Sequence, residues 1–223
     1  MKFFDIHISA NNKNVLSQIN IKKWVDPFNH KGNPSYNKNP YDDIYQAIMD
    51  TGNNSHEISH HGSQIISEMI RLGIDKLKKK MIVTDYNVIL WLRFEPLTDE
   101  FIMPRWHIDG NYRVNGIDAK HQKKMLISLR GPGTLLNECN DNFSVIQQIR
   151  EINREHDRYK DSKNIEIENN LIEPILREKC IKHQLQNFQG VMYDVGNSHN
   201  AGIHSEPNGT SSRILLGILV NEL

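Results

Sequence analysis

Residues 81–94 read M-I-V-T-D-Y-N-V-I-L-W-L-R-F, and residues 213–220 read R-I-L-L-G-I-L-V. Both stretches are rich in β-branched, aromatic and other apolar residues, a composition that favours strands. We interpret the first as one long strand or two short ones, closed by Glu95-Pro96. Several short strands separated by turns are typical of a β-sandwich or a barrel. The remaining strand candidates are Arg105–Asp109, Lys124–Leu129, Gly190–Val195 and Ala201–His204.

The N-terminal third carries helical spacing instead. Apolar residues three and four positions apart predict one helix over 41–50 and a longer amphipathic helix over 56–79. Ser55 can cap the longer helix, and Gly62 and Gly73 are positions at which it could be interrupted. These segments predict a helical layer that precedes the strands.

A further helix-like stretch, over about 142–182, lies between strand candidates and is predicted as a helical insertion. The chain of 223 residues is long enough for one sizeable core. We therefore predict one α+β domain, in which a helical support over 1–80 carries a distorted β-barrel over 81–223.

Composition narrows the class of protein. Hydrophobic residues make up 38% and charged residues 24%, and Lys+Arg and Asp+Glu both number 27. A net charge of zero disfavours a protein that binds duplex nucleic acid through a basic field. Cys139 and Cys180 are the only cysteines, and we expect reduced thiols in the cytoplasm. No apolar stretch approaches the roughly 20 residues that span a bilayer.

The sharpest local pattern is P-R-W-H-I-D-G over 104–110. Residues i and i+2 of a strand point to the same face, so His107 and Asp109 would present an imidazole and a carboxylate side by side. These are two ligands of the 2-His-1-carboxylate facial triad, which leaves open positions on Fe(II) for oxygen and substrate. A surface histidine next to an aspartate in a turn would produce the same H-x-D pattern. A third ligand is therefore needed to distinguish a metal site from this alternative.

His199 and His204 are the candidates for that third ligand, and both precede the strand that Arg213 opens. A cation that enters an apolar strand needs an anionic partner, because an unpaired buried charge is costly. The guanidinium of Arg213 matches a carboxylate through two parallel hydrogen bonds. That carboxylate can belong to a ligand or to an Asp or Glu of the protein, and both readings stay open.

The order His107-x-Asp109, then a distant His204, then Arg213 on the next strand resembles the Fe(II)/2-oxoglutarate dioxygenases. The resemblance implies a double-stranded β-helix, which is a jelly-roll or cupin-like barrel. It implies that His107, Asp109 and His204 bind Fe(II) and that Arg213 holds the 5-carboxylate of 2-oxoglutarate. Arg213 lies nine positions after His204, close to the family's spacing, and fourteen after His199, which is less usual.

The implied reaction consumes dioxygen and 2-oxoglutarate, releases succinate and CO₂, and oxidises a substrate that is either a protein side chain or a small molecule. A narrower similarity, over about 81–223, is to an uncharacterised bacterial group with W-H-x-D, R-G-P-G-T and H-R-S-P-P segments. The sequence departs from that group at Ser205, where an arginine is usual, and at Glu206.

Six further residues are candidates for the walls of such a site. Ser128 and Arg130 alternate on the strand that leads to the R-G-P-G turn, so one of them could face the cosubstrate. The turn's glycines have a backbone role. The candidates for the substrate side of the site are Trp91, Tyr193, Asn197 and His199.

Two other classes of function fit parts of the sequence. The segment His56-Glu57-Ile58-Ser59-His60 matches the H-E-x-x-H signature of zinc metalloproteases. Its position in the first turn of a predicted helix, among polar neighbours, favours a solvated helix start. The other alternative is a non-catalytic, cupin-like module whose triad is vestigial or binds a structural metal.

Overall fold

A computed structural model describes residues 1–28, 39–81, 85–97, 105–110, 113–114, 117–118, 121–156, 162–196, 198–206 and 211–222. Across these ranges the chain forms helices and antiparallel strands, in agreement with the predicted α+β class. The helices are α1 (Ala10–Gln18), α2 (Tyr41–Thr51), α3 (His56–Met81), α4 (Asn142–Glu155) and α5 (Ser162–Lys179). The strands are β1 (Lys2–Asp5), β2 (Tyr86–Glu95), β3 (His107–Ile108), β4 (Arg113–Val114), β5 (Ile117–Asp118), β6 (Gln122–Arg130), β7 (Leu135–Cys139), β8 (Cys180–Gln184), β9 (Gln189–Asp194), β10 (Ile203–Ser205) and β11 (Arg213–Glu222).

The larger sheet has the strand order β1-β9-β6-β11-β2, and all its neighbours are antiparallel. Strand β11 is buried from Arg213 to Asn221, because helices cover one face of the sheet and a second sheet covers the other. This arrangement explains why residues 213–220 form a continuous apolar run rather than an alternating one.

The smaller sheet has the order β3-β10-β7-β8, and β4 and β5 form a separate two-stranded ribbon. Apolar side chains of the larger and the smaller sheet share one buried cluster. Leu126, Val191 and Leu219 come from the larger sheet and Leu136 from the smaller one. Two antiparallel sheets around a common core are what the short, turn-separated strands predicted.

Helices α1, α2 and α3 pack on the outer face of the larger sheet. Ser55 caps α3 as predicted, since its Oγ accepts a hydrogen bond from the Ile58 N–H at 3.2 Å. The expected interruptions at Gly62 and Gly73 are wrong, because α3 runs unbroken through both. A Cβ on Gly73 would collide with Ile218 of β11, so this glycine permits close packing of helix on sheet.

Helices α4 and α5 lie within the predicted insertion and pack on the outer face of the smaller sheet. Their apolar residues, among them Ile149 and Ile172, surround the buried side chain of Trp106. The indole N–H of Trp106 donates to Glu173 Oε1 at 2.6 Å. Because Trp106 faces the helices, its neighbour His107 faces the opposite side, toward the larger sheet.

The sequence did not predict α1, β1, β4, β5, β7 or β8. Strand β1 pairs with the edge of the larger sheet, and β8 is a polar strand at the edge of the smaller one. Cys139 and Cys180 stand opposite each other in the β7–β8 ladder and form a disulfide. This corrects the expectation of two reduced thiols, because strand pairing across a separation of 41 residues cannot be inferred from spacing. None of the described helices is both long and apolar enough to cross a membrane.

Candidate metal centre

Three potential metal ligands converge between the two sheets. His107 of β3 and His204 of β10 are direct antiparallel partners, and their ring centroids lie 4.2 Å apart. Asp109 follows β3 by one residue, with its Oδ2 3.6 Å from His204 Nε2. One ligand atom from each of the three lies within 4.8 Å of the other two, and this is the one such cluster of His, Cys, Asp or Glu found among the described residues.

Backbone carbonyls fix the orientation of both imidazoles. The Nδ1 of His107 lies 2.8 Å from the carbonyl oxygen of Arg105, and the Nδ1 of His204 lies 3.1 Å from that of Gly202. A proton on each Nδ1 satisfies these contacts and leaves each Nε2 lone pair for a metal. The geometry therefore presents two neutral imidazole nitrogens and one carboxylate on one side of the pocket.

The electrostatics favour the protonation states that metal binding needs. Burial lowers the pKa of His204 to about 3, because a proton added to this buried ring would be poorly solvated and would be repelled by the Lys124 ammonium. Burial alone would raise the pKa of Asp109, but the Lys124 ammonium and the two imidazoles together outweigh it and hold that pKa well below its usual range. At neutral pH His204 is neutral and Asp109 is ionised.

We expect the metal-free protein to lose stability through His204 as the pH falls from about 6.5 toward 3. Histidine in an unfolded chain protonates near pH 6.5, whereas buried His204 resists protonation down to about 3. The unfolded state binds one more proton in this window, so the free energy of unfolding falls by up to about 1.4 kcal/mol per pH unit. Urea unfolding at pH 7, 6 and 5 measures this slope, which His204→Asn should reduce; equal slopes in both proteins would contradict the assignment.

The ligands open into a pocket of about 110 Å³ whose walls are rich in charge. Trp91, on β2, which the sequence predicts on the substrate side of the site, forms part of its apolar wall. Five charged side chains line the pocket and a sixth, Glu95, stands directly behind one of them. The five are Arg93, Asp109, Lys124, Glu206 and Arg213.

Lys124, on β6, is a site residue that the sequence reasoning missed. Its side chain is buried, with Nζ 2.7 Å from Asp109 Oδ2 and 4.8 Å from the centre of the Trp91 ring. Hydrogen bonds to a ligating carboxylate orient it toward the metal. The signal in the sequence was a lysine in a predicted strand whose other residues, apart from Ser128, are apolar.

Arg213 has a protein carboxylate as its partner. Its Nε donates to Glu95 Oε2, directly across the β2–β11 ladder, and only 4% of Arg213 and 1% of Glu95 are exposed. Burial, followed by the repulsion of Arg93, lowers the pKa of Arg213 to about 9. The ion pair to a protein acid, which the sequence left open, is therefore present, and Arg213 also lines the metal pocket.

The structure does not bring Ser128 and Arg130 into the pocket. Ser128 Oγ donates to the carbonyl of Gly131 at 3.2 Å, and Arg130 donates to the carbonyl of Ile19 and to Ser212 Oγ. The first of these three hydrogen bonds lies within the turn after β6, and the other two connect this turn to Ile19 and Ser212. The physical reason is that the strand carries these side chains past the ligands, toward the turn.

The other residues predicted for the substrate side of the site do not form a common wall of the pocket among the described residues. Tyr193 is buried beneath His204, with ring centroids 5.6 Å apart, rather than at a mouth. His199 is exposed and stacks on Phe143 of α4 at 4.3 Å, so it is not one of the three clustered ligands. Asn197 lies outside the described residues.

The H-E-x-x-H segment begins α3, with His56, Glu57 and His60 exposed and Ser59 buried. The Nδ1 of His60 lies 2.5 Å from the hydroxyl of Tyr41, and the Nδ1 of His56 bonds to the hydroxyl of Tyr45. Neither histidine belongs to the cluster of potential ligands found in the described ranges. This arrangement agrees with a solvated helix start.

No protein-family model and no curated protein matches the sequence. Among solved structures, the hydroxypropylphosphonic acid epoxidase from S. wedmorenis matches with 10% identity over 60% of this chain and 49% of its own, at a TM-score of 0.29. A structure of Fe(II)-HppE with the alternative substrate (S)-1-HPP matches with 11% identity over 61% of this chain and 50% of its own, at a TM-score of 0.26. A Pseudomonas putida prolyl-4-hydroxylase matches with 11% identity over 98% of this chain and 95% of its own, at a TM-score of 0.34. The chain thus spans about half the length of the epoxidase.

Proposed function

We propose that this chain is an Fe(II)- and 2-oxoglutarate-dependent oxygenase that hydroxylates a protein side chain or a small molecule. The observation that carries the proposal is the convergence of His107, Asp109 and His204, with both imidazoles oriented by backbone carbonyls. Two imidazoles and one carboxylate are the donor set of the facial triad of non-haem Fe(II) oxygenases. We further propose that one domain carries this activity. The cytoplasmic location expected from reduced thiols is not part of the proposal, because Cys139 and Cys180 form a disulfide.

The sheet order supports a double-stranded β-helix for this domain. A larger antiparallel sheet faces a smaller one, and the potential ligands project from the smaller sheet into the space between them. Barrels of this kind enclose a site in their interior while helices cover the outside. The proposed substrate would enter through the pocket that Trp91 and Arg213 line.

The charge of the pocket supports a dicarboxylate cosubstrate. The three cations and three carboxylates in and directly behind the pocket walls have a formal sum of zero. A divalent metal ion would raise this sum by two, and a dianion such as 2-oxoglutarate would restore neutrality. Buried charge without compensation is costly, so this balance favours joint binding of the two.

The chain's own residues would divide the work as follows. His107 and His204 offer Nε2 lone pairs, and Asp109 offers a carboxylate that Lys124 holds in place. Arg213 would hold the distal carboxylate of the cosubstrate, and Trp91 would exclude water from one wall; both line the pocket. Bound Fe(II) with its cosubstrate supplies the activation of dioxygen that this chemistry needs.

The test is conversion of 2-oxoglutarate to succinate by purified protein with Fe(II) in air. We expect slow conversion without substrate, and conversion at background level for His107→Ala, because one imidazole ligand is lost. The matched control is His121→Ala, which removes an exposed histidine paired only with Glu222. If the wild-type protein neither forms succinate nor melts at a higher temperature with 2-oxoglutarate and metal, the proposal fails.

A second candidate function is a non-catalytic metal-binding module. The observation that favours it is the buried Arg213–Glu95 pair, because Glu95 already supplies a carboxylate where a cosubstrate would supply one. Such a module would gain stability with a divalent metal and none with 2-oxoglutarate. The thermal-shift measurement above therefore separates the two candidates.

A further inference from the structure

Glu206 is a pocket residue that the proposed function leaves unused. It follows β10 directly and lies two residues after His204, so an extended chain places both side chains on the same face. At a rise of about 3.3 Å per residue, its Cα lies roughly 6–7 Å from that of His204. A substrate that binds Glu206 through one group could therefore present a carbon atom, a few bonds away in the same molecule, to a metal held by His204.

The carboxylate of Glu206 has no partner in the described part of the chain. Its Oε2 is buried and accepts no hydrogen bond there, and the residue's one hydrogen bond uses its backbone carbonyl, which accepts from Ser205 Oγ at 3.1 Å. It forms no ion pair with any described cation. A buried carboxylate oxygen without a partner is costly, and such a group calls for an explanation.

The other charges of the pocket are engaged with one another. Lys124 lies 2.7 Å from Asp109, Arg213 donates to Glu95, and Arg93 lies 4.0 Å from the second oxygen of Glu95. These five side chains carry a formal charge of +1, which Glu206 brings to zero, yet none of the described cations lies within ion-pair distance of the Glu206 carboxylate. Glu206 is therefore the carboxylate of the pocket that lacks a direct partner among the described residues. This position accepts rather than repels a positive charge.

We infer that Glu206 binds a cationic group of the substrate, an ammonium or a guanidinium. The inference rests on the proposed function in so far as the substrate reaches the metal through this pocket. An ionised carboxylate can only accept hydrogen bonds, and bonds from a charged donor are about twice as strong as neutral ones. A fourth ligand role is not supported, because Glu206 is outside the cluster of ligand atoms within 4.8 Å of one another.

The experiment compares small probes that differ only in charge. We would titrate n-butylamine, n-butylguanidine and n-butanol into Mn(II)-loaded protein and follow tryptophan fluorescence, since Trp91 lines the same pocket. We expect the two cations to bind the wild-type protein and to bind Glu206→Gln about tenfold more weakly, while butanol binds neither. The matched control is Glu151→Gln, an exposed glutamate on α4, which should bind like the wild type.

Two results would overturn the inference: cation binding that is unchanged in Glu206→Gln, or a wild-type protein that binds the cations no better than butanol. The variant is isosteric, and an unaltered circular dichroism spectrum establishes its fold. Because the titration needs neither 2-oxoglutarate nor dioxygen, its outcome is separate from that of the succinate assay. Failure of the assay with charge-selective binding retained would count against the oxygenase alone.

Discussion

His204→Ala should lower the affinity for Fe(II) or Mn(II) by more than about a hundredfold. Removal of a residue that merely orients a ligand typically costs ten- to a hundredfold in metal affinity, so removal of a ligand should cost more. His204 is buried and in register with His107, and no other described histidine lies within ligand distance of Asp109. Metal at a concentration of 100 times the dissociation constant should stabilise the wild type by about 2.7 kcal/mol and the variant hardly at all.

The matched control is His199→Ala. His199 was the rival for the third ligand in the sequence, yet it stacks on Phe143 at the surface, so its loss should leave metal affinity unchanged. Isothermal titration with Mn(II) measures both variants directly. Equal affinities for wild type and His204→Ala, or a larger loss in His199→Ala, would show that the metal binds elsewhere.

Glu95→Ala should destabilise the protein by about 3–5 kcal/mol in the absence of ligands. Breaking a buried ion pair from one side leaves the other charge in a medium that solvates it poorly. Glu95 and Arg213 are both almost fully buried, and Glu95 accepts the hydrogen bond from the Arg213 Nε. Glu138→Ala is the control, because it breaks an exposed pair with His183 and should cost at most about 1 kcal/mol.

The double variant Glu95→Leu with Arg213→Leu should recover most of the lost stability, since it removes both charges. The single variant also tests the cosubstrate site. If 2-oxoglutarate places its 5-carboxylate on Arg213, it should stabilise Glu95→Ala by more than it stabilises the wild type, in the presence of Mn(II). Urea unfolding measures all these differences; equal stabilisation of the two proteins would place 2-oxoglutarate away from Arg213.

The features that the sequence predicted and that the structure contains depend on patterns within a single strand or helix. The two-residue spacing of His107 and Asp109 was sufficient to place their side chains together, because strand alternation is a local property. The apolar run after Arg213 was sufficient to predict its burial. Likewise, Ser55 and the spacing of apolar residues in α3 located the start of that helix.

What the sequence could not show depends on pairing between distant strands. Glu95 is 118 residues from Arg213, and only the β2–β11 register makes them partners. The sequence favoured His204 over His199 only through its spacing to Arg213, whereas the register of β10 with β3 sets His204 directly beside His107. Lys124 was missed because its partner Asp109 comes from the other sheet.

The disulfide has a consequence for how this fold can be altered. Cys139 and Cys180 are 41 positions apart in the sequence, yet their Cα atoms lie 4.0 Å apart. The segment that contains α4 and α5 therefore begins and ends at one pair of facing residues in β7 and β8. The cost of closing a loop grows slowly with its length. The segment between the two cysteines is therefore replaceable. A segment of different length should leave the register of the β-strands unchanged, provided that it still covers Trp106.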